Sequence, residues 1–170
     1  YLNQQYKNDE NYNEKNPIDK IPFLDAGITS YTYRDKKNYK KPIDIINIKK
    51  LNIPRLNFIE KQNLQLYKYT IYIDGNVAAE RLITELNSGS VILKVESLYG
   101  WEQWFHKYLK PNIHYIPVKK DLSDLMDKIK WCKLNDTKCI EIVNNAKEIF
   151  TKINNKKYIF KYLQHKLNNL

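Results

Sequence analysis

The sequence predicts an α/β domain with a doubly wound, mainly parallel sheet covered on both faces. Two observations carry this. From residue 69 onward, short β-branched or aromatic runs alternate with segments whose apolar residues recur at helical spacing. The clearest of these, strand Tyr69–Ile73, helix Asn76–Asn87 and strand Ser90–Val95, reads as a βαβ unit, and such a unit makes its strands parallel. The 170 residues suffice for one domain that buries roughly two thirds of its unfolded surface.

In chain order, residues 1–16 are polar, rich in Asn, Gln and Lys, and read as a tail or the end of a linker. Residues 17–170 read as a single domain. Pro17 and Pro22 bracket the entry to "FLDAGIT", an apolar run ending in a glycine turn and fit for a buried strand. "IDIINI" (Ile43–Ile48) is strand-like, and "FIEKQNLQLY" fits a helix leading into "YKYTIYI". Gly89, just past the Asn76–Asn87 segment, suits a helix stop. "LYGWEQWFHKYLKP" carries Leu98, Trp101, Trp104, Phe105, Tyr108 and Leu109 at helical spacing and ends before Pro111; "IHYIPV" follows as a third strand. Asp121 is placed to cap a helix with Leu122, Leu125, Met126, Ile129 and Cys132 on one stripe. Asp136 is placed to cap another with Ile140, Val143, Ala146 and Phe150 inward. A last helix runs from about Lys157 to Leu170.

The totals exclude several classes. No window approaches the ~18 continuous apolar residues that a membrane-spanning helix needs, and the first residues lack the layout of a signal segment. The only methionine is Met126, so the chain reads as a piece of a longer protein. The 29 Lys+Arg against 19 Asp+Glu leave a net charge of +10. Asn, Lys, Ile and Tyr are abundant together, all with A/T-rich codons. The lysines are scattered rather than gathered on one element, so no nucleic-acid face is expected. Cys132 and Cys139, seven apart on helical sequence, sit about 10 Å apart along an axis, beyond the ~7 Å a disulfide spans; they read as free, buried thiols. His106, His114 and His165 are dispersed, and without C-x-x-C, H-x-x-x-H or D-x-D no metal site is expected. His114 reads as a hydrogen-bonded structural histidine, and Trp101, Trp104 and Phe105 as core. No Ser, Cys or Thr stands in a nucleophile elbow.

The one suggestive constellation is "IDGNVAAER". A turn after a parallel strand lies at the carboxyl end of the sheet, where open α/β folds bind ligands. A helix opening there presents unpaired N–H groups and partial positive charge, which suits phosphate. Gly75 permits a tight turn, Ala78 and Ala79 keep bulk away, and Arg81 adds a two-pronged donor. The segment has one glycine, so the dinucleotide motif G-x-G-x-x-G is absent. On local pattern alone, a surface arginine on an amphipathic helix accounts for Arg81 more simply. A guanidinium turned from any cavity, or locked onto an acidic neighbour, would remove the anion reading's anchor.

"YKYTIYIDG", "AAERL", "SGSVILKV" and "WFHKYLKPNIHYIPVKKDLSDLMDKIKWCKLND" keep, in order and spacing, a pattern that resembles the carboxyl half of the CAP10-like, KDEL-motif or Rumi-type protein O-glycosyltransferases, glycosyltransferase family 90. "FLDAGIT" resembles the family's upstream Asp-x-Gly segment. The resemblance spans most of the chain, and is weakest before Phe23 and after Phe150. It implies a GT-B architecture of two Rossmann-like halves, with this chain as the nucleotide-sugar half. It also implies a UDP-sugar (UDP-glucose or UDP-xylose) as donor substrate, no cofactor and no metal, and inverting transfer to a hydroxyl of a protein or glycan acceptor.

Carried over by position, the donor diphosphate and nucleotide ligands become Gly75, Asn76, Val77, Ala78, Ala79, Arg81 and Ser90. The family's catalytic carboxylate falls in the amino-terminal half, so no catalytic residue is expected here. Two departures stand out. Asn112 follows L-K-P where the family often has an aromatic, and the Ser/Arg-rich diphosphate segment has no counterpart before Phe23. The family resemblance suggests the secretory pathway, and the A/T-rich composition a viral or protist source. The alternative is a non-catalytic module that keeps the fold. If the last helix packs against a missing half, Phe160 and Leu163 should be exposed in this chain.

Overall fold

A computed structural model describes residues 60, 63, 66–75 and 78–169. "FLDAGIT" and "IDIINI" lie outside the described residues, as do Asn76 and Val77. Within them stands a three-stranded sheet in the order β1-β2-β3, with β1 at Tyr69–Tyr72, β2 at Val91–Val95 and β3 at Ile116–Val118. Both pairings are parallel, in the registers Tyr69↔Val91 to Tyr72↔Lys94 and Leu93↔Ile116 to Val95↔Val118. This is the expected α/β, Rossmann-like arrangement, seen over three strands. β2 is buried on both faces except at Lys94, as its near-continuous apolar sequence requires of a central parallel strand.

The helices are α1 at Leu82–Glu85, α2 at Leu125–Leu134, α3 at Asp136–Ile153 and α4 at Lys156–Leu167. One core cluster joins Tyr72, Leu82, Leu86, Ile92, Phe105, Leu109, Ala146 and Ile153, so β1, α1, β2, the segment before β3 and α3 meet there. Each such side chain contributes roughly 1.5–3 kcal/mol by leaving water. α2 packs on β3 and on α3.

Several expected elements are shorter or differently started. The Asn76–Asn87 helix is only Leu82–Glu85, with Arg81 at its amino-terminal cap position; Ala78 and Ala79 precede it as irregular chain. Gly89 does stand in the left-handed region at φ +89°, where a side chain would be strained, and closes the turn into β2. Leu98–Leu109 is not a helix: only the 3₁₀ turn His106–Tyr108 forms, and Phe105 and Leu109 enter the core from an irregular path while Leu98 and Trp101 stay exposed. Asp121 does not cap α2. Its carboxylate accepts the Ser123 N–H (3.0 Å), Leu122 takes φ +61°, and the helix begins at Leu125. Asp136 is the first residue of α3 rather than its cap, and pairs with Lys68 Nζ (2.6 Å). The inward face of α3 is Cys139, Ile142, Ala146 and Ile153, while Ile140 is exposed. Both cysteines are free and buried as expected.

β3 is one of the two edge strands of the described sheet, and its outward side is largely closed. The Glu96 N–H reaches the Val118 carbonyl (2.9 Å), so Val118 faces β2 and Pro117 faces outward with no N–H to offer. On either side, the Tyr115 carbonyl is taken by the Asn112 N–H (2.7 Å) and the Lys119 N–H by Asp124 Oδ1 (2.9 Å). Asn112 reaches this position at φ +59°, which asparagine tolerates better than most residues.

α4 has no buried residue. Asn155 caps it by accepting the Lys157 and Tyr158 N–H groups. It docks through rings, Tyr162 on Trp104 (4.9 Å) and Tyr158 on Tyr108 (5.8 Å). Phe160 (71%) and Leu163 (48%) are exposed, as expected. Among the described residues, no helix is long and apolar enough to cross a membrane.

Candidate functional site at the carboxyl edge of the sheet

Parallel strands β1 and β2 both end toward the same edge, and there the structure gathers charged and polar groups around one ring. Tyr72, the last residue of β1, is fully buried. Its hydroxyl donates to the Ala79 carbonyl (2.9 Å), tying the segment after Gly75 back onto the strand. The Gln103 amide Nε2 donates to the same carbonyl at 3.4 Å. Burial first, and then the neighbouring Asp74 carboxylate, push the phenol far above its ordinary pKa, so it acts only as a neutral donor. Two cations share its ring, with the Arg81 guanidinium 5.3 Å and the Lys94 ammonium 5.9 Å from the centroid. Lys94 also lies 5.5 Å from the Tyr115 ring.

Arg81 is held on three sides. Its Nη2 donates to the Ile71 carbonyl (2.9 Å), its Nη1 to Glu85 Oε1 (2.8 Å), and its plane lies over Tyr72. A guanidinium locked onto an acidic neighbour is the arrangement that counts against a freely available anion ligand. The pair leaves three of five N–H groups uncommitted to these bonds, on a side chain 43% exposed. The expected helix terminus is likewise weaker than the sequence suggested. A four-residue α1 that starts at Leu82 has little dipole to offer Gly75–Ala79.

The sequence-predicted residues do not all converge. Gly75, Ala78, Ala79 and Arg81 follow β1 at the carboxyl edge. Ser90 precedes β2, level with Lys68, about 13 Å down the strands from Tyr72 at ~3.3 Å per residue. It is buried (3%), and its hydroxyl is spent on the Tyr67 carbonyl (2.6 Å). Its place at the start of a parallel strand already put it at the opposite edge, a signal the positional carry-over overrode.

Four residues that the sequence reading passed over belong to the carboxyl-edge group: Asp74, Lys94, Gln103 and His106. Lys94 was visible as the lone polar residue in "VILKV", in register with Tyr72. His106 is 8% exposed and its Nε2 has no hydrogen-bond partner. Burial, then the Lys94 charge, hold it below the ordinary imidazole pKa, with Glu102 and Asp74 opposing, so it is neutral at physiological pH. Asp74 Oδ1 and Gln103 Oε1 are also buried without a partner. His114, by contrast, is structural as expected, its Nδ1 accepting the Lys110 N–H (2.8 Å). Trp104 and Phe105 pack at the core, whereas Trp101 is 42% exposed.

The carboxyl edge of this parallel α/β sheet, the edge at which open α/β folds bind ligands, thus carries two cations beside one ring and three buried polar atoms without partners. Comparison with known proteins is specific: the family model for glycosyl transferase family 90 matches residues 28–170, and the chain belongs to that family. It is similar to uncharacterized protein 179R of Invertebrate iridescent virus 6, at 41% identity over 91% of this chain and 13% of the relative. Protein O-glucosyltransferase 3 of Homo sapiens is 36% identical over 72% of this chain and 22% of the relative. Protein O-glucosyltransferase 2 of Danio rerio is 46% identical over 45% of this chain and 15% of the relative. The chain thus spans a small part of the length of each of these relatives.

Proposed function

We propose that this chain is the donor-binding half of an inverting O-glycosyltransferase of GT-B architecture, which holds a UDP-sugar while glucose or xylose passes to a hydroxyl of a protein or glycan acceptor. Family membership and the O-glucosyltransferase names of two relatives support the reaction class. The observation that supports the donor role is the Lys94 ammonium beside the Tyr72 ring at the carboxyl edge, with Arg81, engaged by Glu85 and Ile71, able to add only its remaining N–H groups. As the bond between sugar and β-phosphate breaks, negative charge grows on the departing UDP. Cations fixed beforehand at that place stabilise the transition state more than the ground state. The acceptor proton goes to a carboxylate supplied from outside this chain. No metal is assigned to the reaction, and the cations take its place in neutralising the diphosphate.

In this reading Gly75, Ala78 and Ala79 give the ligand room and Arg81 contributes its uncommitted N–H groups. Ser90 is left out because it stands at the other edge. Asn76 and Val77, outside the described residues, remain proposed backbone ligands. A second reading is a non-catalytic family member that keeps the fold and binds a nucleotide sugar or a partner without turnover, since the catalytic carboxylate is expected outside this chain.

Calorimetry with UDP and a glycosyl-transfer assay, both on the full-length parent, decide between them. Arg81→Ala should weaken UDP binding by roughly 1.5–3 kcal/mol, as for loss of a charge-assisted contact. Unchanged affinity removes Arg81 from the site, and transfer of sugar excludes the non-catalytic reading.

A further inference from the structure

Three buried polar atoms near Tyr72 find no partner: Asp74 Oδ1, Gln103 Oε1 and His106 Nε2. Such atoms cost roughly 1–3 kcal/mol each unless something satisfies them, and folded proteins keep few without a reason. They belong to one neighbourhood. Gln103 bonds the Ala79 carbonyl that Tyr72 also bonds, Asp74 acts on the Tyr72 phenol, and both Asp74 and Lys94 act on His106. Thr70 Oγ1 and Glu85 Oε2 are likewise unpartnered; Glu85 is engaged through its other oxygen with Arg81.

The chemistry of the three atoms is selective. The Asp74 carboxylate only accepts, and the Gln103 carbonyl oxygen only accepts, its orientation fixed by the amide nitrogen's bond to Ala79. The neutral imidazole can accept or donate at Nε2, according to tautomer. A phosphate, which offers acceptors only, can be met by His106 in one tautomer but not by Gln103 Oε1, and is repelled by the Asp74 carboxylate. A ligand carrying neighbouring hydroxyls fits all of it, since each hydroxyl gives one proton and retains lone pairs.

Resting on the donor-binding reading above, we infer that Asp74, Gln103 and His106 form the hydroxyl-recognition end of the site and bind a pair of sugar hydroxyls on the nucleotide sugar, while Arg81 and Lys94 face its phosphates. The two places where a nucleotide sugar carries such hydroxyls are the ribose and the transferred hexose, and the test separates them.

The full-length protein and its Asp74→Asn variant are titrated calorimetrically with inorganic pyrophosphate, UDP and UDP-glucose. A carboxylate that accepts from sugar hydroxyls predicts roughly tenfold weaker binding in the variant, with pyrophosphate affinity unchanged. Loss for UDP and UDP-glucose alike assigns these three groups to the ribose; loss for UDP-glucose alone assigns them to the hexose. No loss for either nucleotide, or an equal loss for pyrophosphate, overturns the inference while the donor reading stands. A wild-type protein that binds none of the three overturns the donor reading as well. Gln103→Met, half-buried and similar in shape, answers the same question should Asp74→Asn fail to fold.

Discussion

Glu85 Oε1 receives Arg81 Nη1 at 2.8 Å from one helical turn further on, and the carboxylate that does so is only 11% exposed at its side chain. Its other oxygen has no partner. Glu85 is therefore a half-compensated buried charge that fixes the guanidinium against the end of β1. Burial raises its pKa, and the Arg81 charge and hydrogen bond oppose this without cancelling it.

A folded-state pKa above the unfolded one means that the native chain holds the proton more tightly. The corresponding stability is fully present below the ordinary carboxylate range, and is lost as pH rises through the folded value. Urea midpoints measured between about pH 4 and about pH 7 should fall with rising pH through this group, and Glu85→Gln should flatten that part of the slope. An identical profile for the two proteins would show that Glu85 titrates normally.

Tyr72→Phe removes one buried hydroxyl and leaves the Ala79 carbonyl with only the long bond from Gln103. The expected loss is about 1 kcal/mol, read as a lower urea midpoint at unchanged slope. No loss would mean that water satisfies Ala79 equally well.

Asn112 occupies the left-handed region at φ +59° and closes the edge of β3 with its N–H. Asn112→Val should cost about 1–2 kcal/mol because a β-branched residue strains there, whereas Asn112→Gly should be nearly neutral. Equal costs in chemical denaturation would trace the effect to the lost side chain and not to backbone strain.

Burial, and then the neighbouring Cys139, push the Cys132 thiol up to about 12, and burial raises Cys139 too. Because the thiolate is the reacting form, both should resist alkylation in the native protein and react at once in denaturant. Mass spectrometry after a brief exposure to iodoacetamide checks this; native labelling of Cys132 would contradict its burial.

The parallel sheet was legible because β2 is apolar except at Lys94 and the chain between β1 and β2 holds a glycine stop that the structure uses at Gly89. Periodicity misled where apolar residues meet the core without a helix. Trp104, Phe105 and Leu109 are spaced for one face, yet the Leu98–Leu109 segment is irregular until His106. Arg81 stands out in the sequence, but its three-sided anchoring depends on Ile71, ten residues back, which no local pattern reports. Asp74, Gln103 and His106 became a group only through tertiary approach. As isolated letters they were a turn residue and two polar residues off the apolar stripe of an apparent helix.

Closing the margin of β3 with Pro117, Asn112 and Asp124 has a consequence for how the protein behaves in a crowd. A bare strand margin is a template on which other chains can deposit and spread into fibrils. Here that flank is sealed by three inexpensive local devices, so crowding at high concentration should not seed filaments from it, and the lysine-rich surface is left to keep copies apart.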